Sequence, residues 1–540
     1  MPKLTQFDAH EFIQSIIQCL NDILQVRTAR IRWRRCRRRG GFPEGRPTPP
    51  AAPHHSTRTA VPTEKVDMEN TFHGIIAFAL MVTMLLAGTL LRKWVPLLRN
   101  ALVPASVTGG VIGFAVLSMD LVPGYSASDF VALTFHFFTL SFMSLCLTGS
   151  SKNTALSGGS IVIGGLWLTV IWTISLGAQG VLGYGVIVAY DQVTGSDLSA
   201  FLGAIVTHGF TQGPGQALTY GGIWEKEFGI ENAAQVGLIY ASLGFIVAFV
   251  VGVPMAKWMV RKGLNANKAS KIDGEFLSGF FSPQTQPEAG RQVTHPANLD
   301  SLAYHICLLG LGYLLTHLWL VWIRDLAAGF TPWGLNLDVL FSHNLFFLHG
   351  LVICVIIRWC IDRAGLARYV DDESMKHITG GAVDFMVVGT LMSIKFSVLG
   401  ALLVPILLVT VAITVFTAAL CMLLGHKSGK LGYERAVTIF GCCCGSTGSG
   451  LLLLRMVDAD FSTSVAKELA FYNIAIVVAT FHLLFIFAPI APSMSAGMYV
   501  AVFGGTALLA LALVPVLARW TPAPAARASE AQLPGGLSGS

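Results

Sequence analysis

The chain has 540 residues, 53% hydrophobic and 12% charged, with a formal net charge of +6. Soluble domains carry about a quarter charged residues, so this composition excludes an ordinary soluble protein and points to one embedded in a membrane. The positive charge is local: residues 27–46 hold nine Arg and one Glu, a net +8, which leaves the remainder at −2.

Residues 1–67 differ from all that follows. Phe12 to Val26 can form a short amphipathic helix, the run Arg-Trp-Arg-Arg-Cys-Arg-Arg-Arg occupies 32–39, and a Pro-rich stretch extends to Val66. Such a segment can be an arm for a membrane surface or nucleic acid, a disordered extension, or sequence upstream of a native start at Met68. The expectation is a disordered or non-native segment with no nucleic-acid partner. No apolar core precedes a cleavage site, so it does not read as a signal peptide.

From Thr71 onward, apolar runs of about 20 residues follow one another, the length of a helix that crosses hydrocarbon. They are continuous rather than alternating, which predicts helices and not a barrel. The spans read as 72–91, 101–119, 129–149, 158–189, 232–256, 299–323, 338–358, 379–397, 399–424, 461–488 and 494–518. Two further apolar segments, 199–226 and 433–457, are interrupted by Gly, Pro and polar residues. Irregular backbone at membrane depth is tolerated only when buried in protein or facing a watery cavity, so each suits a re-entrant hairpin.

Basic clusters at Arg92-Lys93, Lys257 to Lys262, Arg358 to Arg368 and Lys427 to Arg435 set the expected cytoplasmic side. The first hairpin then enters from outside, between Asp191–Asp197 and Glu225–Glu231. The second enters from inside, between Lys430 and Asp458. That opposition is what inverted repeats predict, and each half carries the same series. The first has a small-residue helix (139–149), a long span, a hairpin and a span from Asn232 to Pro254. The second has 389–397, 399–424, a hairpin and a span from Val465 to Pro489.

The expected fold class is therefore an all-α polytopic membrane protein. It would comprise two inverted repeats of about five transmembrane helices, each with a re-entrant hairpin, plus one extra C-terminal helix. The divisions are an extension (1–67), a first repeat (68–262), a polar cytoplasmic linker (263–298), a second repeat (299–490), an additional helix (491–520) and a disordered tail (521–540).

The two interruptions carry the candidate site. A helix that stops at membrane depth leaves N–H groups free at one end and C=O groups free at the other. The N–H end suits a carboxylate, and the C=O end, with Ser and Thr hydroxyls, suits Na⁺. Thr211, Gln212, Gly213, Gly215 and Gln216 supply such a tip in the first half, and Gly445, Ser446, Thr447, Gly448, Ser449 and Gly450 in the second. Na⁺ is expected near Ser446, Thr447 and Thr211. The competing reading is that these glycines only let helices pack closely.

Three other polar residues stay open to two readings. Lys395 can attract an anionic substrate or snorkel to the interface. Asn473 can ligate an ion or bond a neighbouring helix. His208 can relay a proton or make a structural hydrogen bond. Asp384 reads as a first-turn acid at the head of 379–397. Arg455 reads as an interface anchor. Cys442, Cys443 and Cys444 are adjacent, whereas metal ligands are spaced so that they converge, so they read as small packing residues. With no G-x-x-x-x-G-K-[ST], coupling to an ion gradient is the economical source of energy. A channel, or an intramembrane enzyme using the cysteines with His208, are the other classes weighed. No catalytic residue and no resident cofactor are assigned.

The stretches Gly203-Ala-Ile-Val-Thr-His-Gly-Phe-Thr-Gln-Gly-Pro-Gly-Gln-Ala217 and Trp224-Glu-Lys-Glu-Phe-Gly-Ile-Glu-Asn-Ala-Ala-Gln-Val-Gly237 resemble the bacterial sodium/glutamate symporter family. So do Val103-Pro-Ala-Ser-Val-Thr-Gly-Gly110, Met392-Ser-Ile-Lys-Phe396 and Gly432-Tyr-Glu-Arg-Ala436 leading into the Cys/Gly segment. The similarity runs in order from about 70 to 490. It implies Na⁺-coupled import of glutamate or a related small carboxylate across the bacterial inner membrane by alternating access. It also implies inverted repeats with hairpins and a homodimer in the bilayer whose transport domains move against a scaffold. It places the tips at Thr211 to Gln216 and Cys444 to Gly450, and matches Lys395 to a family lysine. The family's first tip reads Gly-His-Gly-Thr-Gly where this chain has Thr-Gln-Gly-Pro-Gly. Its second reads Cys-Gly-Phe-Gly-Leu-Gly where this chain has Cys-Gly-Ser-Thr-Gly-Ser-Gly. Both departures fall where substrate would sit, which leaves another organic anion, or H⁺ coupling, as the alternative.

Overall fold

The structure is a computed structural model that describes residues 68–149, 159–267, 274–287, 289–327, 340–458 and 462–521. The 1–67 extension, with its 12–26 helix and Arg run, and the tail from 522 lie outside the described residues. The chain divides into two compact units, Met1–Ala79 and Leu80–Ser540. Of the first, the described part is the opening of a single helix, Met68–Trp94 (α1). The second unit holds everything that follows.

Helix is the regular structure of that unit's described residues: Ala105–Ser118 (α2), Ser128–Leu147 (α3), Gly159–Thr194 (α4), Phe201–Thr211 (α5), Pro214–Phe228 (α6) and Ala233–Arg261 (α7). Then come Ser301–Ala327 (α8), Phe346–Arg363 (α9), Asp372–Met392 (α10), Leu403–Lys427 (α11), Gly432–Cys444 (α12), Thr447–Val457 (α13), Val465–Ala479 (α14) and Ala496–Trp520 (α15). Among the described residues, eight helices are long and apolar enough to cross a membrane, or nine if α14 and its bent continuation His482–Ser493 form one span. The sequence predicted eleven.

The differences have local causes. The expected span 101–119 shortens to the 14 residues of α2, because Leu102 takes a left-handed φ of 56°, Pro104 precedes the first turn, and Asp120 turns left-handed at 52°. The expected span 379–397 starts earlier, at Asp372, where the Asp371 side chain accepts from the Ser374 N–H, and it stops at Met392. Asp384 therefore lies in a helix interior, and the first-turn acids are Asp372 and Glu373. The expected span 461–488 is bent by 51° after Ala479.

The unit is held together by close approach rather than by apolar bulk alone, as expected where lipid is as apolar as the core. Gly183 and Gly203 bring α4 and α5 so near that a Cβ on either would lie within 2.3 Å of the other's carbonyl oxygen. Buried hydroxyls such as Thr169, Thr173, Thr410 and Thr438 donate to carbonyls four residues back, which satisfies them within their own helix. At 1.5 Å per residue, the 36-residue α4 is about 54 Å long. It packs against α5, α11, α12, α14 and α15, so it runs beside both interrupted segments.

Candidate functional site

The first interruption falls between α5 and α6. The last turn of α5 widens into a π turn, Thr207–Thr211. Gly213 then takes φ 95°, which favours glycine, and Pro214 opens α6 at the position where its missing N–H costs nothing. Gly215 is pressed onto Phe138, since a Cβ there would lie 1.8 Å from the ring. The buried His208 ring bonds the Gln212 side-chain oxygen at 2.7 Å. Gln212 Nε2 and Gln216 Oε1 are buried at this tip without a hydrogen-bond partner among the described residues.

The second interruption falls between α12 and α13. Gly445 leaves the helical conformation, at φ −168° and ψ −77°, Ser446 is extended, at φ −162° and ψ 168°, and the Ser446 hydroxyl caps α13 by accepting from the Ser449 N–H at 3.4 Å. Thr447 donates to Asn473 Oδ1 at 2.9 Å, which ties the tip to α14. The two arms are packed face to face: a Cβ on Gly441 would lie 2.7 Å from the backbone of Gly450. Ser449 and Gly450 are buried, while Gly448 is exposed. Cys442, Cys443 and Cys444 are fully buried and unpaired, in keeping with a packing role.

The structure brings the two interruptions together. A Cβ on Gly213 would lie 3.7 Å from the Gly445 carbonyl oxygen. Thr211 Oγ1 donates to the Cys443 carbonyl at 3.0 Å. Gly244 of α7 packs against both helix ends, since a Cβ there would lie 2.4 Å from the Cys444 oxygen and 3.0 Å from the Phe210 oxygen. The first turns of α6 and α13 therefore start side by side, and the last turns of α5 and α12 end there.

One residue at this meeting point escaped the sequence reading. Gln179, fully buried at mid-length in α4, accepts from Thr211 Oγ1 at 2.5 Å. Its amide nitrogen donates to Ser175 and Thr417, each at 2.9 Å, and reaches the Cys443 carbonyl at 3.4 Å. The available signal was an amide in an otherwise apolar helix, a residue type that faces partners or a pathway at membrane depth.

The remaining candidates are placed apart. Thr211 makes no hydrogen bond to Ser446 or Thr447. Lys395 is exposed and sits between Met392 and the short helix Phe396–Ala401. Its backbone N–H meets Gln235 at 3.1 Å, and its charge acts on Glu225 near the far end of α6. Arg455 is exposed. Two supports frame the site. Tyr220 and Trp224 of α6 donate at 2.9 Å to the Leu484 and Ala488 carbonyls in the bend beyond α14. Arg435 of α12 meets Glu468 of α14 through two bonds of 2.7 Å, both side chains buried.

The described features define a multi-pass membrane protein with two interrupted helices meeting in its core. A family model described as Sodium/glutamate symporter matches residues 71–457. Over 403 residues the chain is 23% identical to the sodium/glutamate symporter of Escherichia coli (strain K12), covering 74% of this chain and 91% of that protein. Over 407 residues it is 21% identical to the sodium/glutamate symporter of Haemophilus influenzae, covering 74% and 92%. The chain belongs to the sodium/glutamate symporter family, as its motifs implied, and so to a family of transporters and not of enzymes.

Proposed function

We propose that this protein is a Na⁺-coupled symporter that imports glutamate, or a closely related small carboxylate, across the bacterial inner membrane by alternating access. The observation that carries this reading is the meeting of Gly213 with the Gly445 carbonyl, which sets the starts of α6 and α13 beside each other. First-turn N–H groups have no partner within their own helix, and the dipole there favours an anion. Two such ends converge on one place, where the Gln212 side-chain nitrogen, without a partner among the described residues, adds further donors.

In this reading the segments 201–228 and 432–457 are re-entrant hairpins of two inverted repeats. Thr211, Gln212, Gly213, Gly215 and Gln216 form one tip, and Gly445 to Gly450, with Asn473 behind Thr447, form the other. Na⁺ binds near Thr211, Ser446 and Thr447, and Lys395 stands at the approach to the carboxylate. The protein works as a homodimer.

The test is uptake of labelled glutamate by proteoliposomes. An inward Na⁺ gradient is expected to drive accumulation that saturates with glutamate. Uptake that is unchanged when the gradient is dissipated would overturn the coupling.

A further inference from the structure

The hydrogen bonds of Gln179 deepen the proposed symport, on which this inference rests. Five oxygen atoms from four helices lie in one bonded cluster: Gln179 Oε1 and Ser175 Oγ of α4, Thr211 Oγ1 of α5, Thr417 Oγ1 of α11 and the Cys443 carbonyl of α12. Thr211 is 3% exposed and the other four residues are fully buried. Among the described residues, no carboxylate is bonded to Gln179, Thr211 or Thr417. Thr211 and Cys443 stand in the last turns of their helices, where carbonyls lack an intrahelical partner and the helix end is partially negative.

We propose that this cluster is the seat of the coupling Na⁺, with Gln179 Oε1, Thr211 Oγ1 and the Cys443 carbonyl oxygen as its protein ligands. Ser175 and Thr417 act as positioning residues, because they engage the amide nitrogen and so turn the amide oxygen toward Thr211. A hard cation is bound by oxygen. Neutral oxygens suit a single charge, since a buried divalent ion would keep charge that nothing here offsets. The seat narrows the cation to Thr211, which is buried, and away from Ser446 and Thr447, which are only half-buried. It also accounts for coupling. Thr211 belongs to the first interruption and Cys443 to the second, so an ion between them draws the two together. The same movement sets the starts of α6 and α13 beside each other for the anion.

The test is a Na⁺ titration of the melting temperature of the purified protein, with choline replacing Na⁺ to hold ionic strength. A ligand of the folded state raises the melting temperature by mass action. The wild type is expected to respond. Gln179→Ala is expected to raise the Na⁺ midpoint about tenfold or more, and the near-isosteric Thr417→Val, which keeps the fold testable if the first variant fails to fold, about threefold. If the wild type neither responds to Na⁺ nor takes up glutamate on a Na⁺ gradient, the symport reading itself falls. If the wild type responds and the variants keep its midpoint, even with a melting temperature lowered equally at all Na⁺ concentrations, the cluster is structural and the seat is overturned.

Discussion

Gly244 gives the sharpest test of whether the contact between the two interruptions matters. It lies on α7, where the added methyl of Gly244→Ala would sit 2.4 Å from the Cys444 carbonyl oxygen and 3.0 Å from that of Phe210. Non-bonded heavy atoms in contact are about 3.5 Å apart, so one of these backbones has to move by roughly 1 Å. Neither atom is the end of a pliable side chain; each belongs to a helix end that forms the meeting point. Overpacking of this kind costs about 1–3 kcal/mol, which is about five- to 150-fold against the joined arrangement. Gly222→Ala on α6 is the control, because the nearest atom to its added methyl is 3.9 Å away. That change removes a helix-interior glycine and is expected to be neutral or to stabilise by about 0.5–1 kcal/mol. Na⁺-driven glutamate uptake in proteoliposomes, normalised to folded protein, is the assay. Gly244→Ala is expected to lose most uptake and Gly222→Ala to keep it. Wild-type uptake by Gly244→Ala would show that the approach of Phe210 and Cys444 is incidental to transport.

Two further expectations concern the supports of the site. Glu468→Ala leaves the Arg435 guanidinium buried without its carboxylate, a change that costs about 3–5 kcal/mol, so the melting temperature of the purified protein is expected to fall sharply. Replacing Arg435 and Glu468 together by Met is expected to recover most of the loss, and an unchanged melt for Glu468→Ala would refute the pairing. Asp458 follows α13, where burial alone would raise its pKa, yet hydrogen bonds from Thr463, Asn267 and Ser462 outweigh burial and hold it at about 2. Because this is below the unfolded value of about 3.9, its stabilisation is present above that pH and is lost as pH falls toward 2. Asp458→Asn is therefore expected to melt below the wild type at pH 7, with the gap narrowing below about pH 4.

How much of this was legible in the sequence depends on the range of the force involved. Spans follow from length and apolarity, which are local, and each of the eight long helices overlaps an expected segment, with ends shifted by about five residues at most. Caps and left-handed residues act over one turn and are hard to weigh beside 20 apolar neighbours. Leu102 and Asp120 therefore shortened α2 unannounced, and Asp371 moved the start of α10 back by seven residues from the expected 379. The bend after Ala479 has its supports outside its own segment: the Tyr220 hydroxyl and the Trp224 indole take up carbonyls of Leu484 and Ala488, about 264 residues away in the chain.

The candidate site shows the same division. Gly, Pro and Ser/Thr in an apolar run announce a broken helix, and both breaks lie where those residues place them, at Gly213 and at Gly445–Ser446. What a break is for depends on which of its atoms meets a partner, and this the letters conceal. The three adjacent cysteines drew attention to their thiols. The atoms of that stretch that reach the first interruption are main-chain carbonyls, that of Cys443 on Thr211 and Gln179 and that of Gly445 beside Gly213. A carbonyl is present at every position whatever the side chain. The composition of 442–444 thus reports on the space around α12, where Cys442 Sγ would lie 2.4 Å from a Cβ at Gly450, and not on the chemistry at its end. Exchange of Cys443 for Ala should on this argument spare the Thr211 contact, whereas Thr211→Val should break it in a chain whose cysteines are all intact.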